Sequence, residues 1–254
     1  PPVVLKWQAI TTIENLTAES NRLAAARDRA RSRLNDSFVY YQGPTRVADQ
    51  HLFVEDAVGL RALAAFDGTG QDERLQRIVT LVARADNRSA RQVIRAAENA
   101  FAATEDRLGP GITNSAEAHI DNARRQLDRT ERIRERAQNQ EGARYIRTMA
   151  RAVRQYGVAL NQARTALRLI DRETSPDVTL TRRADPIRNG SERTPYTLVG
   201  RVTDPTGLDA VNVTATINDD RTVPLSLRGG YTNASFGTTI NLSERVNTIE
   251  VRTI

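Results

Sequence analysis

Residues 143–183 read ARYIRTMARAVRQYGVALNQARTALRLIDRETSPDVTLTRR, and the fold turns on how that stretch changes its period. Up to Ile170 the apolar side chains Ile146, Met149, Val153, Tyr156, Leu160, Ala163, Leu167 and Ile170 recur in alternating steps of three and four. That near-3.5 repeat is the seam of a long helix packed against another. At Thr174, Ser175 and Pro176 the period falls to two, because Val178 and Leu180 alternate with Thr179 and Thr181. Such alternation belongs to a strand with one face buried. The change predicts two domains, an all-α bundle over residues 1–173 and an antiparallel β-sandwich over 174–254.

Working backwards, Ile120, Ala123, Leu127, Thr130, Ile133 and Ala137 carry the same seam, and the short NQEG at 138–142 connects it to the next helix. The two read as an antiparallel coiled-coil-like pair. Ahead of them, GPG at 109–111 is a stop, preceded by two shorter helices at 71–85 and 88–107. A helix from the Gly43–Pro44 pair to Phe66 and a first helix from Leu5 to Leu34, its apolar face including Trp7, Ile10 and Ile13, complete the bundle. SFVYYQGP at 37–44 is a connector whose Phe38, Tyr40 and Tyr41 are expected to plug the bundle end. Arginine, glutamate and aspartate fill the remaining faces, which implies solvated surfaces with i,i+4 ion pairs.

Working forwards, six Val-, Ile-, Thr- and Tyr-rich runs are separated by RNGSERTP, PTG, NDD, RGG and SER, as in an antiparallel sandwich. In the last run, Ile249 and Val251 are expected to face the core.

Residues 176–254 resemble the immunoglobulin-like modules of bacterial and archaeal secreted enzymes and surface proteins. The resemblance rests on Pro176, Val178 and Leu180; on Gly200, Val202, Asp204, Gly207 and Leu208; on Val211 and Val213; and on Asn247, Ile249 and Val251. It implies an immunoglobulin-like sandwich serving as a spacer or adhesive unit. It also implies one further strand after the Ile249–Val251 run. The sandwich is therefore expected to be incomplete, its edge finished by following residues or by a strand donated from another subunit.

Composition limits the chemistry. The 254 residues contain no cysteine and only two histidines, His51 and His119, far apart in sequence, so disulfides, thiolate metal sites and cysteine catalysis are not expected. No run approaches the roughly 18–20 apolar residues that cross a bilayer. GTGQ at 68–71 lacks the spacing and lysine of a phosphate loop, and no G-x-S-x-G organises a nucleophile. The pairs Glu55–Asp56 and Asp72–Glu73 read as exposed or helix-start carboxylates, and NDD at 218–220 as a hairpin turn. No catalytic, cofactor-binding or metal-ligating residues are assigned.

Of the 37 basic residues, 36 are arginine and only Lys6 is lysine. Residues 1–172 hold 28 basic and 21 acidic side chains, against 9 and 10 in 173–254, so the net charge of +6 comes from the helical part. RDRARSR at 27–33 and RRQLDRTERIRER at 124–136 are rich enough in arginine to meet phosphates or anionic lipid. Interleaved acids and absent aromatics favour a solvated helix face instead.

Asn-x-Ser/Thr sequons occur at Asn15, Asn35, Asn87, Asn189, Asn212, Asn233 and Asn241, seven of fifteen asparagines. With Ser and Thr at about 14% of residues, chance gives about two. The excess points to a glycoprotein outside the cell, on an archaeal surface in particular.

The expectation from sequence is a non-enzymatic, extracellular or cell-surface structural or adhesion protein, with a helical stalk or interaction head and an immunoglobulin-like spacer. Its expected partners are N-linked glycans and other proteins or further copies of itself, in a surface assembly or filament. The alternatives are a non-catalytic flank of a larger secreted enzyme, and an arginine-rich binder of nucleic acid or anionic lipid.

Overall fold

The computed structural model describes residues 1–42, 46–47, 49–174, 176–181, 194–208, 211–218, 221–242 and 249–253. The chain divides into two compact units, one of residues 1–101 and 110–169, the other of 102–109 and 170–254.

Six helices supply the first unit: α1 (Pro2–Glu14), α2 (Asn21–Asp36), α3 (His51–Leu63), α4 (Asp72–Thr104), α5 (Pro110–Gln138) and α6 (Gly142–Glu173). A two-residue hairpin, β1 (Tyr41–Gln42) with β2 (Arg46–Val47), links α2 to α3. All six helices contribute to one core, including Ile13, Leu34, Leu60, Val79, Ala137 and Val153. On α5, Ala116, Ile120, Ala123, Leu127, Thr130 and Ala137 are buried, the seam expected from sequence with Ile133 only half-buried. His119 and Gln162, 2.7 Å apart, and Tyr156 and Glu131, 3.3 Å apart, link α5 to α6.

Three helix boundaries differ from the sequence expectation. The first helix does not run from Leu5 to Leu34: α1 ends at Glu14, and Ser20 restarts the chain as α2 by accepting a hydrogen bond from the Leu23 amide. Serine there satisfies an amide that a helix start leaves unpaired. The two helices expected at 71–85 and 88–107 are the single 33-residue α4, with a 3₁₀ turn at Glu105–Arg107 before Pro110 opens α5. The polar run Asp86, Asn87, Ser89 does not break α4, because all three side chains turn inward and are buried. The helix expected after Gly43 and Pro44 starts later, at His51, and Gly43 and Pro44 lie outside the described residues.

The faces of α1 also differ from expectation. Trp7 is 54% exposed and stacks on Phe38 with ring centroids 4.9 Å apart, whereas Lys6 is fully buried. The inward face is Pro2, Lys6, Ala9, Ile10 and Ile13, a helical stripe with a charge in the middle.

In the second unit, β3 (Asp177–Thr181), β4 (Thr194–Thr203), β7 (Leu227–Gly229) and β8 (Asn233–Leu242) form an antiparallel sheet of order β3-β4-β8-β7. A second antiparallel sheet has the order β6-β5-β9, from β5 (Val213–Ile217), β6 (Arg221–Leu225) and β9 (Ile249–Thr253). Leu198, Val202 and Phe236 of the first sheet share a core cluster with Val213, Ala215 and Leu225 of the second. Ile249 and Val251 pack against it while Glu250 and Arg252 stay exposed. The run TVPLSLR, read as one strand, is two: β6 pairs with β5, and after Ser226 the chain joins the other sheet as β7.

The residues that carry the family resemblance have definite local jobs. Gly200 lets the Phe236 ring lie on the β4 backbone, since a Cβ there would come within 2.3 Å of Phe236 Cζ. Asp204 is buried and its Oδ1 accepts from the Thr206 amide at 2.8 Å, closing the turn that Gly207 completes with φ of +123°.

Candidate functional site

Two polar constellations stand out, both in the first unit. One is sealed in the core. Lys6 of α1, Asp56 of α3 and Asp86 of α4 all have fully buried side chains. The Lys6 ammonium donates to Asp56 Oδ2 and to Ser37 Oγ (3.2 Å), lies 3.4 Å from Asp86 Oδ1 and sits 5.0 Å from the centre of the Tyr41 ring. Tyr41 Oη is in turn 3.4 Å from Ser89 Oγ. Asp56 therefore corrects the sequence reading, which placed it on an exposed face; its neighbour Glu55 pairs at 2.8 Å with Arg33.

Charge balance decides the protonation of this cluster. Burial would lower the Lys6 ammonium, but Asp56 and Asp86 outweigh it and hold the group above its ordinary range. Asp86 is pushed well above the usual carboxylate range, first by burial and then by the neighbouring Asp56. Asp56 Oδ1 and both Asp86 oxygens take no hydrogen bond as ionised groups. A proton on Asp86 leaves one cation facing one anion and supplies a donor for Asp56. Tyr41 is pushed up to about 12, chiefly by burial, so its hydroxyl stays protonated.

This gives a pH prediction. The unfolded chain releases the Asp86 proton near pH 3.9, whereas the folded chain holds it to higher pH. The stability due to that proton is full below about pH 4 and is lost as pH rises through the native value. Asp86→Asn keeps the shape and the donor but cannot ionise. The stability of wild type minus that of the variant should fall as pH rises above about 4, then level off. Denaturant melts followed through Trp7 fluorescence at intervals of pH measure it, and a pH-independent difference would contradict the assignment.

The other constellation is an open cleft of about 470 Å³ formed by α4, α5 and α6. Arg84, Arg88 and Arg91 enter it from one face of α4 and Arg134 from α5, while Tyr145 and Met149 of α6 are also in its lining. Asn87 anchors one side. Its Oδ1 accepts from Arg91 Nε at 2.7 Å, and its Nδ2 donates to Tyr156 Oη at 3.1 Å and to Glu131. Glu131 also lies 3.6 Å from Arg91 and 3.0 Å from Arg134. Arg84 and Arg88 have no hydrogen bond or ion pair among the described residues, and the lining contains no carboxylate.

No family model, curated protein or solved structure matches this chain. The geometry therefore carries the functional argument.

The sequons fall in unlike places. Asn15 is exposed at the end of α1 and Asn212 is exposed just before β5; Asn35 and Asn233 are half-buried, the latter accepting from Arg201 at 2.7 Å. Asn87 is 8% exposed, and its Nδ2, the atom a glycan would occupy, is turned into the Glu131–Tyr156 pair. Asn241 lies on β8, and Asn189 lies outside the described residues.

The remaining motifs have structural uses. Gln71 of GTGQ exchanges two 2.9 Å hydrogen bonds with the Thr17 backbone. Asp72 and Glu73 open α4, where carboxylates suit the helix dipole. Asn218 of NDD adopts φ of +52° at the end of β5, and Asp219 and Asp220 lie outside the described residues. His51 pairs with Asp49 at 2.7 Å. The arginine runs largely reach other helices rather than i+4 partners: Arg31 meets Glu14 at 2.8 Å and Arg124 meets Glu98 at 2.7 Å. Among the described residues, no helix is long and apolar enough to cross a membrane.

The Lys6 cluster and the cleft were both missed in the sequence. A signal for the first existed: the sole lysine among 37 basic residues sits in register with Ile10 and Ile13. None existed for the second, whose arginines come from two helices and look like any solvated face.

Proposed function

We propose that this chain is a non-enzymatic part of a secreted or cell-surface protein, with the helical unit as an interaction head and the β unit as a spacer. The observation that carries the reading is the sequon excess, with Asn15 and Asn212 exposed on connecting backbone where a glycan can attach without disturbing the core. The sealed ionic cluster suits the same reading, since it offers its charges to one another rather than to a substrate.

The immunoglobulin-like reading of the β unit has support in the strand order. Taken as A, B, D and E, the strands β3, β4, β7 and β8 give the order A-B-E-D; taken as C and F, β5 and β9 are neighbours, with β6 as C′ beside C. Modules of this kind act as spacers by analogy of fold alone.

The test is mass spectrometry of peptides from the natively expressed protein. Added glycan mass on sequon peptides is the expected result. Unmodified asparagine at every sequon would remove the reading's main support.

A further inference from the structure

The cleft between α4, α5 and α6 has a use that the surface reading does not require and does not depend on. We propose that it is a binding site for a small phosphate or sulfate ester of about monosaccharide size, gripped by Arg84, Arg88, Arg91 and Arg134.

Charge is the first argument. Arg84 and Arg88 are one turn apart on α4 and Arg91 follows on the same face, so like charges repel along the cleft wall. Glu131 lies beside Arg91 and Arg134, leaving the outer two arginines without a counter-charge among the described residues. A doubly charged oxyanion supplies what is missing, and guanidinium forks bind tetrahedral oxyanions through paired N–H donors.

Preorganisation is the second. Asn87 holds Arg91 through its Nε at 2.7 Å, and Glu131 holds Arg134 at 3.0 Å. Half of the grip is already immobilised, which lowers the entropy lost on binding. The Tyr156–Asn87–Glu131 hydrogen bonds behind the cleft fix these anchors to the core.

Shape is the third, and it favours a small ester over bare phosphate or a nucleic acid. Ala83 and Met149, both buried, and the half-buried Tyr145 ring put apolar surface in the lining for the carbon body of a ligand. A volume of about 470 Å³ falls within the range of small-molecule sites. A single-stranded nucleic acid calls instead for a charged track with several stacking aromatics, and Tyr145 is the one aromatic residue in the lining.

Titration calorimetry of the whole chain at about 50 mM salt tests this. The probes are glucose 6-phosphate, glucose 6-sulfate, inorganic phosphate, glucose and a duplex DNA. The variants are Arg84→Gln/Arg88→Gln and, as an equal loss of charge elsewhere, Arg22→Gln/Arg29→Gln on the exposed face of α2. All four arginines are exposed, so both variants should melt like wild type. At least one sugar ester should bind at a single site, about tenfold tighter than inorganic phosphate, with no binding of glucose. The Arg84/Arg88 variant should lose about tenfold or more in affinity, and the Arg22/Arg29 variant no more than about twofold. Preference between the two esters names the oxyanion. Absence of sugar-ester binding at about 1 mM, equal weakening in both variants, or binding of DNA alone would each overturn the proposal.

Discussion

Lys6→Met is expected to cost the helical unit about 3–5 kcal/mol, the effect of removing one partner from a buried ion pair. The side chain is fully buried, and it is the cation that offsets Asp56 and lies within 3.4 Å of Asp86. Methionine fills similar space, so the loss is electrostatic: Asp56 must then bury an unpaired charge or take up a proton. Replacing all three charges together, Lys6→Met with Asp56→Leu and Asp86→Leu, should recover most of that loss or exceed wild type, because no desolvated charge remains. Trp7, the single tryptophan, is next to Lys6 and stacked on Phe38, so its fluorescence reports this unit. A Lys6→Met midpoint in urea that matches wild type would show that the cluster is solvated and not sealed.

Gly200→Val is the corresponding test of the β unit, with an expected loss of about 3 kcal/mol, at the upper end of overpacking costs. β4 is flanked by β3 and β8, and at Gly200 a Cβ would lie 2.8 Å from the Thr179 carbonyl oxygen as well as 2.3 Å from Phe236 Cζ. One of these neighbours is backbone held in a sheet and the other is a buried ring, so neither yields cheaply. Hydrogen exchange should show β3, β4 and β8 losing protection while α1–α3 keep theirs. Unchanged protection in those strands would mean that the sheet opens at this point more easily than its packing implies.

The parts of this fold legible in the sequence were those governed by period. The seams of α5 and α6 and the change of period at Thr174–Pro176 needed only the spacing of Ile, Leu, Val and Ala. Where polar residues go inward, period misled. Asp86, Asn87 and Ser89 look like a helix break, yet each has a tertiary partner on another element, and α4 continues through them. Lys6 was overlooked for the same reason, since a charge scores as surface until Asp56 and Asp86 are brought beside it. Conversely Trp7, the largest apolar side chain on α1, lies outside because Phe38 covers one of its faces. The division of TVPLSLR between β6 and β7 depends on which sheet each half joins, and local alternation carries no information about that. The cleft is the clearest case. Arg84 and Arg88 differ from paired arginines such as Arg33 only in lacking a carboxylate from elsewhere in the fold.

The surface-protein reading meets its most direct test in site-resolved glycan occupancy on the natively expressed chain. The account predicts glycan on the exposed Asn15 and Asn212 and none on Asn87, whose Nδ2 is engaged with Glu131 and Tyr156 inside the helical unit. Bare Asn15 and Asn212 in protein made by its own cells would contradict it.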